Sequence, residues 1–105
     1  MQTTITARHV DVSDTLRERA MTIVERLGNI AHRPIDMTVV FEADGLDQVA
    51  ELRLHLAHGE MLVARGDGPD HRTALDRAEE KLRRQVQRAS EMPRQSRQSQ
   101  QVYRL

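Results

Sequence analysis

The sequence predicts an α+β domain, a two-layer β-α-β-β-β-α sandwich whose four-stranded sheet carries both helices on one face. Three observations predict it. Apolar and polar residues alternate with a period of two in several short stretches, the mark of a sheet with one wet side. Two other stretches carry apolar stripes at about 100° per residue, the period of amphipathic helices. The chain of 105 residues has only Phe41 and Tyr103 as aromatics, enough for one aliphatic core and one domain.

Gln2 to Arg8 alternates Thr3, Ile5 and Ala7 against Thr4, Thr6 and Arg8, and its β-branched content suits a half-buried strand. A turn over His9 to Val12 leads to Ser13, whose hydroxyl caps a helix, with Asp14 placing negative charge where the helix dipole favours it. Leu16, Ala20, Ile23, Val24 and Leu27 form the helix's stripe; Gly28 and Asn29 supply its stop, and Pro34 prevents continuation. Ile35, Met37, Val39 and Phe41 then face one way and Asp36, Thr38 and Glu42 the other, a strand broken by Ala43-Asp44-Gly45. From Val49 onward, Ala50, Leu52, Leu54 and Leu56 alternate with Glu51, Arg53 and His55. His58-Gly59-Glu60 reads as a tight hairpin turn. Met61 to Arg65 returns as a fourth strand whose inward face the pattern leaves open, and Gly66-Asp67-Gly68-Pro69 reads as the turn that ends the sheet.

Asp70 caps the second helix, in which Ala74, Leu75, Ala78, Leu82, Val86 and Ala89 share one side. Arg72/Asp76, Glu79/Arg83 and Glu80/Arg84 are i,i+4 pairs on its surface. Pro93 stops the helix. The chain therefore divides into a domain over residues 1–92 and a Gln/Ser/Arg tail over residues 93–105, read as disordered because Arg94 to Gln101 has no apolar period.

The absence of Cys excludes disulfides, thiolate nucleophiles and Cys-based zinc sites, and fits a reducing cytoplasm. The longest apolar run, Met61 to Ala64, is far too short to span a membrane, and Met1-Gln2-Thr3-Thr4 does not open a signal peptide. His55 and His58, three apart on a strand, point to opposite faces and share no metal. Gly66-Asp67-Gly68-Pro69 lacks the Lys of a phosphate loop. Ser13, Ser90, Ser96 and Ser99 have no base beside them, and Asp44/Asp47 and Asp67/Asp70 read as turn formers. No enzyme, cofactor or small-molecule substrate is expected.

Charge is where the sequence is informative. The net charge is +0, yet residues 1–68 hold 7 basic against 11 acidic side chains, a net of −4, and residues 69–105 hold 9 against 5, a net of +4. Arg77, Lys81, Arg84 and Arg88 are spaced 4, 3 and 4 and so form one stripe, expected opposite the apolar face of the second helix. Guanidinium forks match phosphate oxygens, and cations aligned on a rigid helix suit a polyanion. At this point two readings stand side by side: an RNA-backbone contact, or a solvated helix face held by salt bridges.

Three blocks then line up in order. They are Ile5-Thr6-Ala7-Arg8-His9-Val10-Asp11-Val12-Ser13-Asp14-Thr15-Leu16-Arg17; Ala50-Glu51-Leu52-Arg53-Leu54-His55-Leu56 through Gly59 to Leu62-Val63-Ala64; and Asp70 with Ala74-Leu75-Asp76 leading to Lys81-Leu82-Arg83-Arg84-Gln85-Val86. Over roughly residues 2–90 the chain resembles the ribosome hibernation-promoting factor and ribosome-associated inhibitor (protein Y) family, in its short form. The resemblance implies a fold similar to double-stranded-RNA-binding domains. It also implies a cytoplasmic bacterial stress-response protein that occupies the decoding channel of the small ribosomal subunit and keeps idle ribosomes silent and protected in stationary phase. Its implied partners are the small subunit, its rRNA and ribosomal proteins near the channel, with no membrane. Carried over by position, the implied rRNA contacts are Lys81, Arg84 and Arg88, three of the four stripe residues, with Arg8, Arg17 and Arg26 beside them. The sequence departs from the family at His71-Arg72-Thr73, where an aromatic is common, and in a first helix that mixes Glu18 and Glu25 with Arg17, Arg19 and Arg26. A generic double-stranded-RNA-binding module and a protein-interaction domain using the wet sheet face of Glu51, Arg53 and His55 are the alternative readings.

Overall fold

Six elements appear in the predicted order in the computed structural model, which describes residues 1–91: β1 (Gln2–Ala7), α1 (Asp14–Ile30), β2 (Pro34–Asp44), β3 (Asp47–Leu56), β4 (Met61–Gly68) and α2 (His71–Glu91). The tail expected over residues 93–105 lies outside the described residues. The strands form one sheet in the order β1-β2-β3-β4. β1 and β2 are parallel because α1 carries the chain back to its starting end, whereas the short β2–β3 and β3–β4 connections produce antiparallel pairs. No helix among the described residues is long and apolar enough to cross a membrane.

The inward residues Met37, Val39, Phe41, Ala50, Leu52 and Leu54 meet Ile23 and Leu27 of α1 and Leu75, Ala78 and Leu82 of α2 in one buried cluster. α2 covers β3 and β4, and α1 lies beside it against β2. Both helices begin as expected: the Ser13 hydroxyl accepts from the Leu16 N–H at 3.1 Å, and Asp70 Oδ1 accepts from the Thr73 N–H at 2.7 Å.

Three local expectations are corrected. Gly28 and Asn29 do not end α1, which runs to Ile30; its last bond goes from the Ala31 N–H to the Leu27 carbonyl, and Arg33, at φ 54°, turns the chain into Pro34. Gly28 is part of the helix, and the Met1 methyl lies 2.8 Å from where a Cβ on it would stand. Ile35 does not face the core but is 42% exposed, because the pairing of β2 with β3 shifts register between Pro34 and Asp36. Gly66-Asp67-Gly68 does not form a turn: these residues complete β4, whose inward face is Leu62, Ala64, Gly66 and Gly68.

The physical reason for the last correction is close packing. A Cβ on Gly66 would stand 2.2 Å from the Ala74 carbonyl oxygen and 2.6 Å from the Ala78 nitrogen, so the glycine admits the backbone of α2 directly onto the sheet. On the opposite, open face, Val40 is only 2% exposed, in one cross-strand row with Thr6, Glu51 and Arg65. Around it runs a lattice of ion pairs: Arg65 to Glu42 at 2.9 Å, Arg53 to Glu51 at 2.8 Å and His55 to Asp36 at 3.3 Å.

Candidate nucleic-acid interface

α2 divides its surface among three neighbours. Its apolar side faces β3 and β4. One flank faces α1, where Asp76 receives Arg19 at 2.8 Å and Glu79 receives Arg26 at 2.9 Å and Arg83 at 3.0 Å. Asp76 is thus taken by α1 and not by Arg72, contrary to the i,i+4 expectation. Glu79, 8% exposed, is the one buried charged residue among the described residues, and its two guanidiniums offset the cost of desolvating it.

The other flank lies along β4 and carries the basic stripe. Arg77 donates to the Asp67 carbonyl at 2.7 Å, Lys81 to the Arg65 carbonyl at 2.8 Å and Gln85 to the Val63 carbonyl at 2.8 Å. These are alternate residues of an edge strand met by every fourth residue of the helix, a staircase in which one helical turn advances by two strand residues. The stripe therefore flanks the apolar side where the sequence reading placed it opposite. Gln85 belongs to it and was missed; the i,i+4,i+8 spacing of Arg77, Lys81 and Gln85 was the available signal.

Electrostatics separates the stripe's members. Arg84 is paired with Glu80 at 2.6 Å, an exposed contact that is weak in water and open to exchange for a stronger acceptor. Arg77, Lys81 and Arg88 have no acidic partner among the described residues, and all three are exposed. Lys81 spends one of its three N–H donors on β4 and Arg77 one of its five, so each keeps donors for a second acceptor. The salt-bridge reading of this surface accounts for Arg84 alone.

The remaining candidates lie elsewhere. Arg26 sits on the α1-facing flank, tied to Glu79. Arg17 shares an exposed flank of α1 with Met21, four residues on, away from α2. Arg8 is on the open sheet face, 3.9 Å from Glu42. The stripe of four is thus one surface, and the other three residues do not join it. Arg72, exposed at the start of α2 and in no ion pair among the described residues, was not named from the sequence as a binding candidate.

His71 occupies the position where an aromatic was looked for. Its ring meets Phe41 edge-on at 5.5 Å between centroids, and its Nε2–H donates to the Glu42 carbonyl at 3.0 Å, so its role here is to seat the start of α2 on β2. The neighbouring Asp70 carboxyl is held below the ordinary carboxylate range, chiefly because it accepts the Thr73 backbone N–H. His58 pairs with Glu60 at 3.0 Å across the hairpin turn, and no three metal-capable side chains converge among the described residues.

Comparison with known proteins follows this geometry. A family model described as sigma 54 modulation protein / S30EA ribosomal protein matches residues 3–93. The ribosome hibernation promoting factor of Salmonella typhimurium (strain LT2) is 31% identical over 88 residues, covering 84% of this chain and 92% of that protein. The protein of the same name from Pseudomonas putida (strain KT2440) is 29% identical over 91 residues, covering 87% and 88%. Among solved structures, a ribosomal subunit interface protein from Coxiella burnetii superposes with a TM-score of 0.72 at 22% identity, covering 86% of this chain and 98% of that one. The N-terminal domain of Thermus thermophilus Protein Y superposes at 0.71 and 24%, covering 84% and 98%. At these identities the two structures speak to the fold.

Proposed function

We propose that this chain, which belongs to the sigma 54 modulation protein / S30EA ribosomal protein family, is a ribosome-associated translation inhibitor that docks in the decoding channel of the small subunit. The family is one of non-enzymatic, ribosome-binding proteins. Occupancy there excludes messenger and transfer RNA and keeps idle ribosomes silent, and it places the protein in the cytoplasm with its ribosomes. The observation that carries the reading is the α2 flank: three cations with no acidic partner among the described residues, Arg77, Lys81 and Arg88, on a helix locked to the sheet. With Arg84 they form the rRNA-facing surface; Arg17, Arg26 and Arg8 supply secondary contacts. Phosphate neutralisation gives affinity, and the shape of the domain gives location, as suits a structured RNA read by backbone rather than sequence. Ribosomal proteins near the channel meet the more acidic sheet half.

Sedimentation tests it. Protein from stationary-phase cells is expected to co-migrate with small subunits or whole ribosomes, and Arg84→Glu with Arg88→Glu is expected to release it while leaving the thermal transition nearly unchanged, since neither side chain bonds to the sheet and the lost Glu80 pair is exposed. Co-migration undiminished by the double substitution removes the flank from the mechanism. Binding to free duplex RNA as tight as to ribosomes assigns the generic double-stranded-RNA-binding role instead.

A further inference from the structure

The two edges of the sheet are finished differently. On β4, the outward carbonyls of Val63, Arg65 and Asp67 are met by the side chains of α2. On the β1 side, the Arg8 N–H donates to the Phe41 carbonyl at 2.8 Å, so even-numbered backbone groups turn toward β2 and those of Thr3, Ile5 and Ala7 turn outward. No hydrogen bond among the described residues reaches these outward groups. β1 also lacks the devices that blunt an exposed edge, for its sequence QTTITA holds neither charge nor proline. Above this edge runs the outer flank of α1, where Arg17, Met21 and Glu25 follow one another at four-residue intervals, all exposed. Arg17 and Glu25 stand two helical turns apart, about 12 Å, and neither has an ion-pair partner among the described residues. A groove of about 500 Å³ opens between β1 and α1, and Glu25 is the only charged side chain on its wall.

We propose that two copies of this chain join β1 to β1, antiparallel, about a two-fold axis at Ile5. The register follows from which backbone groups are free. Thr3, Ile5 and Ala7 find partners among themselves in a single antiparallel alignment, with Thr3 against Ala7 and Ile5 against Ile5. Their side chains, in cross-strand rows with the core residues Met37, Val39 and Phe41, then stay on the helix face in both copies. On the open face Thr4 stands opposite Thr6, a favourable cross-strand pair. The sheets of the two copies become continuous, and the same patch serves both, as a closed two-fold interface requires.

The helix flank obeys the same axis. α1 runs opposite to β1, and the Met1 methyl against Gly28 fixes their relative height. One helical turn advances by about two strand residues, so Glu25, Met21 and Arg17 stand near the levels of Thr3, Ile5 and Ala7. An axis through Ile5 therefore passes between the two Met21 side chains and sets Arg17 of each copy against Glu25 of the other, at the groove. Spacing agrees as well. α2 covers the β3–β4 half of the sheet and α1 the β1–β2 half, one helix for every two strand spacings of about 4.8 Å. The adjoining half-sheet thus sets the second α1 about 10 Å from the first, a helix-packing distance. A foreign strand satisfies the backbone alone, whereas a second copy also brings the arginine, methionine and glutamate in the reverse order. About a dozen residues a side make a small interface, so the dimer forms as concentration rises. The basic flank of α2 lies at the opposite edge and stays open in both copies.

Analytical ultracentrifugation and residue-resolved hydrogen exchange on the full chain, over a concentration series up to about a millimolar, test this. The amides of Thr3, Ile5 and Ala7 are expected to gain protection as the mass rises from one chain to two. Those of Thr4 and Thr6, which face β2, are protected throughout and report an intact fold. Arg17→Glu sets acid against acid across the axis and is expected to weaken the dimer about tenfold; adding Glu25→Arg restores opposite charges and is expected to recover it. A chain that stays monomeric while its outward amides exchange freely overturns the proposal and leaves the edge to a foreign strand. A dimer indifferent to Arg17→Glu overturns it as well, and so does protection that does not change with concentration.

Discussion

Replacing Gly66 by alanine asks for one methyl group where the structure has no room. The added Cβ would meet the Ala74 carbonyl oxygen at 2.2 Å and the Ala78 nitrogen at 2.6 Å. Both are backbone atoms of a helix interior, so no side chain can swing aside; α2 itself must rise by about 1 Å to restore ordinary contact near 3.4 Å. That displacement loosens Ala74, Leu75, Ala78 and Leu82, all of them fully buried. Overpacking costs about 1–3 kcal/mol where side chains can yield, and rigid backbone on the far side puts Gly66→Ala at the top of that range. At about 4–8 °C per kcal/mol for a domain of this size, the melting temperature is expected to fall by about 12–24 °C. Thermal unfolding followed by circular dichroism measures it. A fall of less than about 4 °C, the effect of 1 kcal/mol or less, refutes the claim that helix backbone rests on this glycine.

Other substitutions separate structure from binding. Glu79→Ala removes the acid shared by Arg26 and Arg83; both guanidiniums can turn to water, so a loss of about 1 kcal/mol, or about 4–8 °C in Tm, is expected. Because Asp70 is held below the ordinary carboxylate range in the fold, its contribution is present above that range and is lost as pH falls through its lowered value; Asp70→Asn is expected to flatten this part of the acid-stability profile. For ribosome binding, a plot of log affinity against log salt is expected to have a slope of about −2.8 for the four stripe cations and about −1.4 after Arg84→Gln with Arg88→Gln, at about 0.7 per contact. Equal slopes in parent and variant would show that those two arginines meet no phosphate.

The fold was legible wherever burial imposes a period. Leu52, Leu54 and Leu56 announced β3, and Leu75, Leu82 and Val86 announced α2, because each packs on a single face. Ile35 misled because a register shift flips its side chain, and a period of two has no means of anticipating a bulge. Gly66 and Gly68 read as a turn because a glycine's common role is backbone freedom, while here the missing Cβ admits a helix, a fact of tertiary packing. The candidate interface was legible as spacing and illegible as orientation. Arg77, Lys81, Arg84 and Arg88 share a stripe on any helical wheel, but that two of them also hold an edge strand depends on β4, which the pattern left without an inward face. Arg8 and Arg26, named alongside them, were drawn apart by Glu42 and Glu79, whose positions no local spacing reveals.

The bonds from Arg77 and Lys81 to β4 have a bearing on recognition as well as on the fold. A free lysine or arginine side chain carries about 2 kcal/mol of rotamer entropy, normally surrendered when it grips a ligand. Here folding has already surrendered much of it: both cations stand at fixed heights along the helix before any polyanion arrives. A phosphate that reaches this flank meets charges near set positions, so the penalty for ordering them is reduced in the encounter, and mismatched phosphate spacings gain less from side-chain searching. The same rigidity that closes the sheet thus makes the flank a ruler for the spacing of phosphates.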